Sequence, residues 1–498
     1  MNILVFVLPF AVLLLLTIGW RRPLWQAAMA SYVTGVVISS IARGFEMPLL
    51  AVPMTHAFFI AVELAVILFG AIFFLNFLKI NGAIDKIQGS LNSVTSDKRL
   101  QAILLAWLFG GFIEGASGFG TPAMIVAPLL ASLGFPLMVA VVLPLMANTT
   151  AVTFGAVGTP VKIGFAGIES ANAAGVFAAS VNLLAGLLVP LFILFFVVRF
   201  TGGTLKKDFK QAVPFALWAG LCFLVPYFLL SFAGVEFPSM AGGLLGLFLC
   251  IISIRYKFLV PETQTGVSKP DLAGLVKAFM PYTLLCVLLV VGKLVFRNVI
   301  ILDLWYEATR NFAVFQPGMA FLTAILVLYL ISPKFRSSKI KIAALDAFKV
   351  LPKPWVAIFF IAALAQNLLF VGREFSVIWQ LTPYLSEAGV LFTAVAAGTF
   401  GSFAAGSATV SNLLFGREIY EAALAAGAGA VAALGMQLIG SGIGNALALQ
   451  NIAVVQAAVK MEGEEKNILR QVVIPCMIYL VVAFLAGMLI LNLTRTIH

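Results

Sequence analysis

The sequence predicts an all-α polytopic membrane protein of about twelve transmembrane helices, with inverted-topology repeats and broken or re-entrant helices. Three observations carry this reading. Of 498 residues, 62% are hydrophobic and 10% charged, and the mean hydropathy is +1.08. A soluble domain carries about 25% charged residues, so too little polar side chain is present to wet its surface. Apolar runs of 17 or more residues recur from Ile3 to Asn492, each close to the roughly 20 residues that cross a bilayer core. A glycine-rich motif then occurs twice, once in each half. Soluble, fibrous and single-anchor proteins are excluded.

The order of elements follows from loop charge. The 31 Lys and Arg against 20 Asp and Glu give a net charge of +11. This excess lies in short loops beside apolar segments, which marks cytoplasmic loops and gives no reason to expect a nucleic-acid partner. Arg21 and Arg22 follow the first apolar run, which reads as a retained helix with no charged n-region ahead of it. Lys79, Lys86, Lys98 and Arg99 follow the third, and Arg199, Lys206, Lys207 and Lys210 a later one. Lys334, Arg336, Lys339, Lys341 and Lys349 mark another inner loop, and Lys460, Lys466 and Arg470 the last. Counting spans from these anchors places both termini outside and requires an even number of crossings. Cys222, Cys250, Cys286 and Cys476 lie inside apolar runs, and the histidines are His56 and His498. That pattern supports neither a disulfide framework nor a metal site.

The repeat divides the chain. Phe109-Gly-Gly-Phe-Ile-Glu-Gly115 aligns with Phe400-Gly-Ser-Phe-Ala-Ala-Gly406, identical at four of seven positions. Each copy follows an amphipathic segment, Ile84 to Leu91 and Phe375 to Leu385, and each precedes a second glycine-rich stretch, at 153–160 and at 440–445. Three regions result. Residues 1–210 hold the motifs at 109–122 and 153–160; residues 211–350 hold intervening helices and a basic loop; residues 351–498 hold the motifs at 400–412 and 440–454. The run into Gly110 enters from the basic, cytoplasmic side, whereas the run into Gly401 enters from outside. Inverted repeats with interrupted helices at matching positions point to a secondary transporter with its site near the bilayer midplane.

Unwinding a helix in the bilayer frees backbone N–H and C=O groups that only protein, water or substrate can satisfy. Gly115, Gly118, Gly120 and Pro122 predict such a break, with Ser117 and Thr121 beside it; Gly406, Gly442 and Gly444 predict its counterparts, with Ser407, Thr409, Asn412 and Asn445 supplying hydroxyls and amides. A helix restarting after a break turns its positive end to the gap and favours a carboxylate there. Small residues also serve close helix packing, the alternative use of these glycines. Glu114 lies within the first motif. An isolated carboxylate at that depth costs about 2.5 to 3.5 kcal/mol on insertion scales and needs a partner or a proton, so it is a proton-coupling candidate or a brace for unwound backbone. Glu63 and Lys162 are further intramembrane charges, and Lys162 either meets a substrate carboxylate or snorkels to the interface. No Walker A motif, HExxH or nucleophile–histidine pair is present. Enzymatic and ATP-driven chemistry therefore have no support, and no cofactor is expected.

The segment Phe109-Gly-Gly-Phe-Ile-Glu-Gly-Ala-Ser-Gly-Phe-Gly-Thr-Pro122 resembles the signature of the lactate permease family. The resemblance continues through Ala147 to Pro160, Gly406 to Gly416 and Gln450 to Val454, in the expected order across both halves. It implies import of lactate or glycolate with protons across a prokaryotic cytoplasmic membrane. The substrate carboxylate is then expected at Ser117, Thr121, Lys162, Ser407, Thr409, Asn412 and Asn445, and the coupling proton at Glu114. This sequence departs from the family at three positions. The family usually carries an acidic residue where Ala408 stands and a lysine where Asn445 stands, and Lys162, where the family is usually apolar, is expected to supply a substitute cation. Carriage of another small organic anion, sodium coupling, and a membrane scaffold without transport are the competing readings.

Overall fold

The computed structural model describes residues 7–92, 94–118, 120–261, 272–296, 299–303, 309–313, 315–331, 335, 339–372, 377–461 and 463–496. Helix α1 (Leu8–Leu14) continues through a π-helical turn to Gly19, and α2 (Leu24–Arg43), α3 (Met47–Ile80) and the short amphipathic α4 (Ala83–Asn92) follow. Next come α5 (Lys98–Ala102), a wide π-helical stretch (Ile103–Phe109) and α6 (Gly110–Ser117), which form one continuous rod, and α7 (Thr121–Ser132) after a break. Then α8 (Leu137–Ala151) leads over a 3-10 turn into α9 (Gly155–Lys162), and α10 (Ala171–Ala185) joins α11 (Leu188–Phe200). Helices α12 (Lys210–Ser231), α13 (Pro238–Arg255) and α14 (Leu272–Val295) precede a small antiparallel hairpin, β1 (Val299–Asp303) with β2 (Thr309–Ala313), in which Ile301 pairs with Asn311. Among the described residues, this hairpin is the one addition to the all-helical expectation. The remaining elements are α15 (Pro317–Ile331), α16 (Ile340–Val350), α17 (Pro352–Val371), α18 (Val377–Leu381), α19 (Glu387–Ala405), α20 (Ala408–Ala425), α21 (Ala430–Leu447), α22 (Leu449–Ala458) and α23 (Glu465–Thr496). The first residues of the second amphipathic segment, 375 and 376, lie outside the described residues.

Among the described residues, eleven helices are long and apolar enough to span a bilayer, and α10 with α11 forms a further span bent by 42°. Two of the eleven are arms of re-entrant hairpins. Lys98 Nζ donates to the Gly134 carbonyl at 2.8 Å, so the chain that enters at α5 is back at the same level once α7 ends. In the second half Gly429 N donates to Glu387 Oε1 at 3.2 Å, which closes the base of the α19–α20 hairpin in the same way. A local cap fixes the start of each hairpin: Asp97 accepts from Arg99 N at 2.9 Å, and Ser386 from Gly389 N at 3.2 Å. Setting these two arms aside leaves nine spans among the described residues. Counting the bent pair and the short apolar helices Leu8–Gly19 and Pro317–Ile331 as crossings gives twelve, an even number.

The two hairpin units pack in exchange. Helix α7 lies on α22, α9 lies on α20, and α8 and α21 lie on each other, a pattern unchanged when the halves are swapped. Glycine likewise makes a close approach possible within the second half, between α21 and α19. A Cβ on Gly440 would strike the Val395 carbonyl, and one on Gly444 the Thr399 carbonyl. These contacts correct the reading of Gly442 and Gly444 as break residues: α21 runs unbroken through them to Leu447, with Gly442 against the Thr149 carbonyl. Small residues here serve backbone approach between helices. The second break falls instead at Ala448, whose ψ of 123° separates α21 from α22.

The loop charges set the orientation of this frame. Single cysteines in a cysteine-free background at Lys207 and Lys341, both exposed, should be shielded from impermeant thiol reagents in intact cells, while one at Ala233 should label. Glu236, three residues further on, is buried in an ion pair and would not report. External labelling at Lys341 would reverse the map.

Candidate functional site between the broken helices

The breaks of both halves meet. A small cavity of about 30 Å³ is lined by Glu114 and Gly120 from the first hairpin, Gly155, Ala156 and Thr159 from the α8–α9 break, Gly406, Ser407, Ala408 and Thr409 from the second hairpin, and Asn445 from α21.

Each break has its own local cause. After α6, Gly118 (φ +59°) and Gly120 (φ +77°) adopt conformations open to glycine, and a Cβ on Gly118 would lie 2.7 Å from that of Ala156. Gly115 is not part of this break. It sits inside α6, where a Cβ would strike the backbone of Met240 on α13, so it serves packing. At the start of α9, Ala156 (φ 43°), Val157 (φ 57°) and Gly158 (φ 79°) are left-handed in succession. Two of these lack glycine's freedom, and each such residue stores about 1 to 3 kcal/mol that surrounding packing must offset. In the second hairpin Gly406 (φ +66°) ends α19, and Ser407 caps α20 by accepting from Val410 N at 3.4 Å.

Glu114 is 2% exposed, and among the lining residues it is the one that can carry charge. The Asn148 amide lies beside its carboxyl, and Oε2 has no protein partner. Gly155 faces the other oxygen so closely that a Cβ there would collide with Glu114 Oε1. Asn148 Nδ2 also donates to Asn445 Oδ1 at 3.3 Å, and Asn445 Nδ2 donates to the Gly406 carbonyl at 3.3 Å. One chain of side chains thus links the carboxyl of the first hairpin to the break of the second. Thr159 and Thr409 hydroxyls meet across the halves at 3.2 Å. Behind the site, Trp107 Nε1 donates to Thr150 Oγ1 at 3.2 Å and Tyr227 OH to the Thr150 carbonyl at 3.0 Å, which fixes α8 just before it unwinds. The starts of α7 and α20 both line the gap, so two helix N-termini face it and favour an anion.

Of the seven residues expected to receive substrate, the cavity gathers Ser407, Thr409 and Asn445. Ser117 and Thr121 bond to each other at 2.5 Å, and Thr121 donates to the Gly118 carbonyl at 2.6 Å, so both hydroxyls tie the hairpin tip and neither lines the cavity. Asn412 Nδ2 donates to the Pro160 carbonyl at 3.0 Å, bracing α9 against α20. Lys162, at the far end of α9, lines a different cavity with Glu236 and Lys293 and supplies no cation here. Sequence reasoning missed Asn148 and Thr159 as site residues. The signal was an amide within the apolar run Val139 to Met146 and beyond, and a hydroxyl inside Gly158-Thr-Pro160.

The sequence profile described as L-lactate permease matches residues 2–313 and 303–494. A putative L-lactate permease of Haemophilus influenzae is 31% identical over 469 residues, covering 86% of each chain. The L-lactate permease of Escherichia coli K12 is 27% identical, covering 89% of this chain and 87% of its own length. Glycolate permease GlcA of the same strain is also 27% identical, covering 82% and 81%.

Proposed function

Because the chain belongs to the L-lactate permease family, we propose that it is a secondary active transporter that imports a small monocarboxylate, lactate or glycolate, together with a proton. The names of its relatives support the substrate class. A multi-pass helical protein of this family belongs in the cytoplasmic membrane of a prokaryote.

The observation that carries proton coupling is the charge content of the cavity. Two helix N-termini favour an anion, yet the one ionisable lining group, Glu114, is itself acidic and has no cation beside it in the cavity. An ionised Glu114 and a substrate carboxylate in the same buried space repel strongly. Loaded with a proton, Glu114 becomes a neutral hydrogen-bond donor and leaves the helix N-termini free to hold the substrate. Substrate and proton then enter and leave together.

A second reading, another small organic anion, draws on Ala408 and Asn445. Both line the cavity at the positions where the resembled family usually carries charge. Counterflow in proteoliposomes separates the two. Labelled lactate should be driven inward by internal lactate or glycolate, and accelerated by an inward proton gradient at constant sodium. Counterflow by a dicarboxylate alone would replace the substrate assignment, and dependence on sodium alone would replace the coupling ion.

A further inference from the structure

A second cavity, of about 620 Å³, lies at the opposite end of α9 from the first. It is bounded by Lys162, by the segment joining α12 to α13, by the last turns of α14 and by Phe315 ahead of α15. The α12–α13 connection, the end of α14 and the start of α15 lie on one face of the bundle, opposite the basic loop at Arg255 and Lys257. That is the outer face by loop charge.

The charges here are unequal in their commitments. Lys293 Nζ is 2.7 Å from Glu236 Oε2 and donates to the Ala233 carbonyl at 3.2 Å. Those two charges neutralise each other. Lys162 is half-buried and feels Glu236, Glu63 and Lys293 electrostatically, but among the described residues its ammonium makes no ion pair. The remaining wall is apolar: Leu230, Phe237, Val290, Leu294, Phe296 and Phe315. Val290, Leu294 and Phe296 are 43%, 56% and 55% exposed, and the first two stand on a membrane-spanning helix, so the mouth opens toward lipid acyl chains. One ammonium without an ion pair among the described residues, and an apolar channel leading from it to the bilayer, suit a slim molecule with one negative end.

We infer that this cavity binds an amphipathic monocarboxylate of fatty-acid chemistry, its carboxylate on Lys162 and its unbranched tail along Val290, Leu294 and Phe296. A two-chain phospholipid would bring its phosphate to the level of Lys293 and Glu236, where the charge is already matched. The inference is independent of the transport reading, since it concerns binding at a separate cavity.

The test uses the full chain in phosphatidylcholine nanodiscs, with straight-chain carboxylates from hexanoate to decanoate and with decanol as the uncharged control. Affinity should tighten about fourfold per added methylene. Lys162→Gln should weaken decanoate at least about tenfold while leaving decanol unchanged, and Lys162→Arg should restore much of the loss. A decanoate carrying a diazirine at its tail should attach to wild-type protein between residues 286 and 296, a readout that needs no variant. Affinity independent of chain length, decanoate binding unchanged by Lys162→Gln, attachment confined to other segments, or displacement of decanoate by phosphatidylglycerol would each overturn the assignment.

Discussion

Glu114→Gln should abolish uphill accumulation of substrate while preserving exchange. Glutamine has the shape of the protonated acid and keeps the contact with Asn148, so the loaded carrier can still cycle between the two faces. It has no proton to give up, and so cannot return empty in the ionised form. In proteoliposomes, accumulation should fall to simple equilibration, whereas exchange of labelled for unlabelled substrate should persist and lose its dependence on pH. The competing role is a brace for unwound backbone near Gly118. In that case the substitution would leave a buried hydrogen-bonding group mismatched, at about 1 to 3 kcal/mol, and would lower stability and both activities together. Normal accumulation by the glutamine variant would remove Glu114 from coupling altogether.

The contrast between what was legible and what was not follows the range of the interactions. Loop charges and apolar run lengths are local, and the even number of crossings and the re-entrant first motif could be read from them. Glycine is ambiguous because its missing side chain serves both unwinding and close approach. Gly118 and Gly120 show the first use, with positive φ; Gly115, Gly442 and Gly444 show the second, each against a backbone atom of another helix. That partner is distant in sequence: Thr149 for Gly442, Met240 for Gly115. The break at Ala156 and Val157 had no residue-level signal beyond the flanking Gly155 and Gly158, because packing imposes left-handed backbone on side chains that disfavour it. Lys162 was misplaced for a related reason. Thr159 and Pro160 line the central cavity, but the single helical turn that follows carries Lys162 to the second one.

Asn445→Lys should uncouple the carrier, and Ala408→Asp should repair it. Asn445 accepts from Asn148 and donates to the Gly406 carbonyl. A lysine there can still donate but cannot accept, so Asn148 loses one of its partners. The larger effect is the new ammonium in a cavity whose ionisable group is Glu114. A buried cation holds a nearby carboxyl in its ionised form, and Glu114 would then no longer gain and lose the proton that drives uptake. Uphill accumulation should drop by about tenfold or more, a change of about 1.4 kcal/mol in the coupled step. Ala408→Asp alone adds a second acid beside Glu114 and should weaken substrate binding by like-charge repulsion. Together the two substitutions form their own pair across the cavity, which frees Glu114 to titrate. The double variant should therefore exceed the product of the single effects, with a coupling energy of about 0.5 to 3 kcal/mol between the two positions. If the losses simply multiply, Ala408 and Asn445 do not face each other across one substrate cavity, and the meeting of the two hairpin breaks is not where the carboxylate binds.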